Sequence, residues 1–274
     1  MRVSPRLPDD SVNVSKTHPL AEAGTLLAGI GIAFIVVTIT IVFAVDILLR
    51  LVPPATEVRW LSKWSPFEIE AEQSPEQQEL EALLARMARH WQTDYQFRIA
   101  IDDNSLPNAM ALPGGLILVT RGLLDAVETE NELAFVLGHE LGHFAERDHI
   151  RQLGRATVLM LFLSAVSGGS GGANIGYSFT DLTLRGFNRQ QESRADEFGL
   201  ALLHDEYGHV ADAGAFFGRI NTNAEATVFN RYLGTHPMPI DRVDALRSLA
   251  KQRGWATNGA TTPWDANNSN ANDE

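Results

Sequence analysis

The chain has 274 residues, a formal net charge of −12 and no cysteine. An acidic chain with no basic cluster and no aromatic platform has no means of holding a phosphate backbone, so no nucleic-acid partner is expected. The lack of cysteine rules out a thiolate metal site, a cysteine nucleophile and any disulfide.

Residues 1–22 read as a polar tail containing Pro5, Pro8, Asp9 and Asp10. No charged residue lies between Glu22 and Asp46. At about 1.5 Å per residue that run exceeds the roughly 30 Å of a bilayer core, so residues 23–52 are expected to form one transmembrane anchor. A cleavable signal peptide is the competing reading, but the run is too long and no small-residue cleavage site follows it. Pro53-Pro54 ends the helix, Trp60 and Trp64 suit the interface, and residues 53–73 read as a juxtamembrane linker. Lys and Arg are nearly balanced across the span, with Arg2, Arg6 and Lys16 before it and Arg50, Arg59 and Lys63 after it.

Ser74, Pro75 and Gln77 start an amphipathic helix with Leu80, Leu83, Leu84, Met87 and Trp91 on one face. Phe97–Ile101 and Leu116–Thr120 read as short strands of a small sheet. A free edge, from Ala109, Met110, Ala111 and Leu112 or from Leu116 to Val119, is a candidate to pair with an extended peptide; an ordinary core strand is the alternative.

Thr129 and Glu132 form a capping-box signature ahead of Leu133, Val136, Leu137 and Leu141 at helical spacing. This helix carries His139-Glu140-Leu141-Gly142-His143. Two histidines four apart share a helix face and can both reach one zinc ion, and Glu140, one step round, can take the proton of an attacking water. Gly138 and Gly142 each cost about 1 kcal/mol in a helix, which implies close packing of another backbone against that face.

Thr157–Val166 is apolar but too short to span, so it reads as buried helix or a membrane-dipping segment. Gly168–Gly172 is a flexible loop, either a lid or a plain linker. In the following segment, 187–199, Glu192 and Asp196 share a stripe with Ala195 and Gly199. Glu192 is expected as the third ligand, with Glu197 and Glu146 next in line, and Asp196 as the acceptor that orients a ligand histidine. A solvated charged face is the alternative. His90, His149, His204 and His209 lack ligand spacing and read as structural. His236 in Thr235-His236-Pro237 reads on its own as a cap for a helix through Val243, Leu246 and Leu249. Residues 257–274, rich in Asn and Thr, are expected to be disordered.

The run Val136–His143, the Glu192–Asp196 pair, Asn108–Gly115 leading into Leu116–Thr120, and Thr235-His236-Pro237 with Arg242 together resemble the HtpX-like and CAAX-prenyl-protease-type zinc metallopeptidases. The resemblance covers roughly residues 70–253. It implies one Zn2+ per chain on His139, His143 and Glu192, Glu140 as general base, and His236 as a catalytic donor to the oxyanion. HtpX itself and the prenyl proteases have several spans; this chain has one, looks closer to the single-span or soluble envelope members and the OMA-type proteases, and so does not inherit prenylated substrates from the resemblance. The implied location is a single-pass bacterial inner-membrane protein with a periplasmic catalytic domain.

The expected fold is α+β and mainly α-helical: a zincin-like (gluzincin) domain over residues 74–256 with a small β-sheet, preceded by one transmembrane helix. The expected function is a membrane-anchored zinc metalloendopeptidase in envelope protein quality control. Its partners would be protein or peptide substrates, including misfolded membrane or envelope proteins, and the lipid bilayer. The alternatives are a peptidase of lipid-modified or membrane-embedded substrates and a catalytically idle zinc-stabilised scaffold or chaperone-like adaptor.

Overall fold

The computed structural model describes residues 18–62, 74–154, 187–223, 236 and 242–264. The apolar run forms one helix, α1 (Pro19–Leu51), of which Pro19–Ile41 is long and apolar enough to cross a bilayer. Its large side chains, Leu26, Leu27, Ile30 and Ile35 among them, are exposed. The chain falls into two compact units, Met1–Val45 and Asp46–Glu274. All the elements that follow belong to the second.

The segment read as a linker contains a helix, α2 (Pro54–Leu61). Pro53-Pro54 ends α1, yet Pro54 also stands at the first position of α2, where its fixed φ and missing N–H cost nothing. Its Glu57 is only 3% exposed, so this stretch is part of the folded domain. Trp60 is exposed, and Trp64 and the tail 1–17 lie outside the described residues.

Helix α3 (Pro75–Ala88) starts as expected: the Ser74 side chain accepts from the Gln77 N–H, and Leu80, Leu83, Leu84 and Met87 are buried. Three strands follow, β1 (Arg98–Asp102), β2 (Ala109–Leu112) and β3 (Leu116–Thr120). β3 lies in the middle, parallel to β1 and antiparallel to β2. The free edge near the candidate site therefore belongs to β2, because both edges of β3 are already paired. Ala109 and Ala111 point into the core while Met110 and Leu112 are half-buried, as alternation requires.

After α4 (Arg121–Ala126) comes α5 (Glu130–Ala145), which carries both histidines and is buried from Asn131 to Phe144. Thr129 Oγ1 accepts from the Glu132 N–H, and the Glu132 carboxylate accepts from the Glu128 N–H. Helix α6 (Arg189–Tyr207) opens on an Asn188/Gln191 capping box and closes at Gly208, whose φ of 75° is the left-handed conformation glycine tolerates. Residues 148–154, just after α5, are also helical, and helices α7 (Ala215–Asn223) and α8 (Arg242–Arg253) follow α6.

The small residues on α5 and α6 explain their own positions. A Cβ on Gly142 would stand 2.7 Å from Ala195 Cα, and one on Gly199 would stand 2.7 Å from the His139 nitrogen. The obstructing atoms are backbone, so any larger side chain would have to push one helix away from the other. This contact brings Glu192 within reach of His139 and His143.

Residues 257–264 depart from the expectation of disorder. The Glu130 N–H donates to Thr262 O at 2.8 Å, the Trp264 N–H donates to Glu128 O at 2.9 Å, and Pro263 bridges Thr129. Trp264 is 8% exposed and packs into the main core. One indole outweighs the polar composition around it, since an aromatic of that size buries on the order of 200 Å². Thr157–Val166 and Gly168–Gly172 lie outside the described residues.

Candidate metal centre

Helix α5 presents His139 and His143 with their Nε2 atoms 3.2 Å apart. From α6, Glu192 Oε2 lies 3.5 Å from His139 Nε2 and Glu192 Oε1 lies 3.5 Å from His143 Nε2. His236 Nδ1 is 3.3 Å from His139 Nε2 and 3.2 Å from Glu192 Oε1. All four side chains are buried, with donor atoms within 4.8 Å of one another.

These spacings fit zinc. Tetrahedral ligands at about 2.0–2.1 Å from a metal are separated by roughly 3.3–3.4 Å. The field agrees as well. Burial alone would raise the Glu192 pKa, but the His236 charge and the bonds to His139, His143 and His236 hold it far below the ordinary carboxylate range. Burial would lower the His139 and His143 pKa values, and Arg242 adds to this at His139. Asp196 and Glu192 at His139, and Asp148 and Glu192 at His143, nevertheless raise both above the usual imidazole value. The pocket is thus built to stabilise positive charge, which a divalent cation supplies while both imidazoles stay neutral.

Glu140 lies in the same pocket, 0% exposed, and neither carboxylate oxygen has a hydrogen-bond partner among the described residues. Its Oε1 is 3.6 Å from His236 Nε2. A buried carboxylate left unbonded is costly unless something else uses it.

Behind the donors, each histidine is held by an aspartate. His139 Nδ1 lies 2.9 Å from Asp196 Oδ1, and His143 Nδ1 lies 3.3 Å from Asp148 Oδ2. Arg242, on α8, donates to Asp196, lies 3.0 Å from His139 Nδ1 and sits over the Phe217 ring at 4.2 Å. The Gln191 amide fixes Asp148 Oδ1 at 2.6 Å, and Phe187 stacks on the His143 ring at 3.7 Å. His236 Nε2 reaches Ala109 O on β2 at 3.3 Å, which places the sheet edge beside the centre.

The structure therefore brings His139, Glu140, His143, Glu192, Asp196 and His236 together, with Ala109 adjoining and Met110, Ala111 and Leu112 continuing along β2. The two fallback ligands lie elsewhere: Glu197 pairs with Arg253 and Glu146 with Arg194. His149 is buried outside the donor set, its Nε2 2.7 Å from Glu57. Sequence reasoning missed Asp148, Gln191 and Phe187, and it had Arg242 only through the family motif. Asp148 had a signal, since it stands five residues after His143 where the helix has just ended.

Two helices that offer two histidines and a glutamate, with a buried carboxylate free of hydrogen bonds to the described residues alongside, have the arrangement of a gluzincin-type centre. Residues 74–250 match Peptidase family M48, a family of zinc-dependent metallopeptidases, and the chain belongs to that family. It is 32% identical over 113 residues to the mitochondrial metalloendopeptidase OMA1 of Schizosaccharomyces pombe, covering 40% of this chain and 34% of that protein. It is 28% identical over 157 residues to the metalloprotease LoiP of Escherichia coli, covering 54% and 60%. To a protease HtpX homolog of Desulfatibacillum aliphaticivorans it is 28% identical over 208 residues, covering 59% and 66%. The chain thus spans from about a third to two thirds of these relatives' own lengths.

Proposed function

We propose that this chain is a membrane-anchored zinc metalloendopeptidase acting on unfolded or damaged proteins of a bacterial envelope. The fully buried Glu140 carboxylate, not hydrogen-bonded among the described residues, carries this reading, because a purely structural metal site has no use for it. It weighs directly against the scaffold alternative. His139, His143 and Glu192 would hold the zinc, which supplies a Lewis acid and lowers the pKa of water.

The rest of the chemistry belongs to the chain's own groups. Glu140 takes the proton of the attacking water and returns it to the leaving amine. The outer edge of β2, from Ala109 to Leu112, pairs with an extended substrate so that the scissile carbonyl faces the centre. Asp196 and Asp148 fix the tautomers of His139 and His143.

The protein purified in detergent and loaded with zinc should cleave a denatured model protein at internal bonds. A chelator should stop cleavage, and added zinc should restore it. Persistent cleavage after chelation, or none with zinc bound, would overturn the assignment.

His236 is read as the donor that stabilises the oxyanion. Its substitution by alanine should preserve zinc, leave KM nearly unchanged and lower kcat by about 10²–10³. Its Nδ1 also completes the fourth corner of the donor set. If His236→Ala instead weakens zinc binding, the residue is a ligand of the resting site. If kcat stays within about threefold, it has no part in the chemistry.

α1 would serve as the anchor, with the catalytic domain on the periplasmic side. The resemblance to envelope proteases supports this side, since the basic residues on either flank do not choose one. In spheroplasts, a tag after Glu274 should be open to added protease. Protection until lysis would put the site in the cytoplasm.

A further inference from the structure

The metal centre is connected to a second buried cluster about which the peptidase chemistry says nothing. Its hub is Glu57 on α2, which has four partners. Oε1 accepts from His149 Nε2 at 2.7 Å and from the Gly114 N–H at 3.3 Å. Oε2 accepts from the Tyr95 hydroxyl at 2.6 Å and from Arg147 Nη2 at 3.0 Å. Arg147 Nη1 also donates to Val52 O at 2.5 Å. Burial alone would raise the Glu57 pKa, but the bond and charge of His149, the Tyr95 hydroxyl and the Gly114 N–H pull it down to about 2, so it stays a carboxylate.

Two of these partners flank one residue. Arg147 and His149 stand on either side of Asp148, whose buried carboxylate lies against His143 Nδ1. The turn is not one the backbone prefers. Arg147 has φ +57°, a left-handed conformation that side chains rarely adopt and that persists only where the surroundings impose it. Glu57 and Val52 grip the Arg147 side chain, while His149 is held by Glu57 through Nε2 and by His143 O through Nδ1 at 3.4 Å. The far end of α2 is seated with equal closeness. A Cβ on Gly114 would lie 2.8 Å from the Ser62 nitrogen, so α2 closes directly on the β2–β3 turn.

We propose that Glu57 is a positioning residue for the metal centre, acting through the Arg147–His149 turn to hold Asp148 on His143. The inference rests on the zinc reading above and extends it to a helix outside residues 74–250, the stretch that matches the family. Glu57 touches no donor atom. It fixes the turn, the turn fixes Asp148, and Asp148 orients the second histidine.

The test uses the full chain in detergent, with zinc affinity measured by chelator competition and ligand geometry read from the visible spectrum of the cobalt-substituted protein. Asp148→Asn should weaken zinc binding by about 10–100-fold, the usual effect of losing such a partner. Glu57→Gln should weaken it by at least about threefold and alter the cobalt spectrum. The double variant should bind within about twofold of Asp148→Asn alone, because both act along one path. Glu76→Gln is the control: it breaks the pair, 2.6 Å apart, between a buried carboxylate and the more exposed Arg121, and should lower Tm without changing affinity or spectrum. If Glu57→Gln does not fold, Arg147→Gly cuts the same link while relieving the left-handed strain, and it should show the same loss.

Affinity and spectrum unchanged in Glu57→Gln, or losses that add in the double variant, would overturn the proposal. So would an equal loss in Glu76→Gln, which would reduce the effect to general destabilisation. A wild-type protein that binds no zinc, or a His143→Ala variant that binds it as tightly, would instead remove the metal reading beneath it.

Discussion

Glu140→Gln is expected to retain zinc at full occupancy and to lose peptidase activity by about 10²–10⁴-fold, the range that a positioned general base contributes. Glutamine has the same shape and fits the same cavity, so the substitution removes basicity with little else. The effect should be large because the Glu140 carboxylate is fully buried and no other side chain is bonded to it. The nearest imidazole, His236, already faces Ala109 O and Glu192. Metal content by elemental analysis and single-turnover cleavage of a fluorogenic peptide decide the matter together. Full activity with metal bound would remove Glu140 from the mechanism; loss of metal would make it a ligand.

His139→Ala, His143→Ala and Glu192→Ala should each abolish both zinc binding and activity. Each variant leaves two of the three assigned donors, and removing Glu192 also takes away the charge that compensates the cation. In the wild-type protein, free zinc at about a thousand times Kd should stabilise the fold by about 4 kcal/mol, visible as a rise in Tm. None of the three variants should show that rise. Asp196→Asn forms an intermediate case, because its oxygen contacts His139 Nδ1 and Arg242 rather than the metal position. It should fold normally and bind zinc about 10–100-fold more weakly. Full occupancy in Glu192→Ala would move the third ligand to another residue. An unchanged affinity in Asp196→Asn would leave that carboxylate with a purely structural bond to Arg242.

What could be read from the sequence divides along physical lines. Helix starts were legible at Ser74 and Thr129, where a side-chain oxygen caps a backbone N–H three residues on. The contact between α5 and α6 was legible in Gly138, Gly142, Ala195 and Gly199, since glycine within a helix needs a reason. Glu192 could be chosen over Glu146 and Glu197 because it shares that small-residue stripe. Asp148 was only partly legible: it stands just past the end of α5, but its role depends on Arg147 turning left-handed, and arginine gives no local sign of doing so. Glu57 and Trp264 were hidden for a different reason. Trp264 sits in a polar stretch whose composition argues for solvent, and Glu57 in a segment that reads as a juxtamembrane linker; long-range contacts reverse both readings.

The two hidden straps change how the domain should be cut for expression. The segment that resembles the family, residues 74–250, begins after α2 and stops before Trp264. A fragment trimmed to those limits would leave His149 and Arg147 without their carboxylate and open the groove that Trp264 fills beside the first turn of α5. It would also free the Glu130 N–H that Thr262 holds. Such a fragment would carry every metal ligand on α5 and α6 and still be prone to aggregate or to lose its metal, and its inactivity would then be blamed on the wrong residues. A truncation spanning residues 52–264 retains both straps, Val52 O included, while omitting the apolar helix, and it is the piece to crystallise.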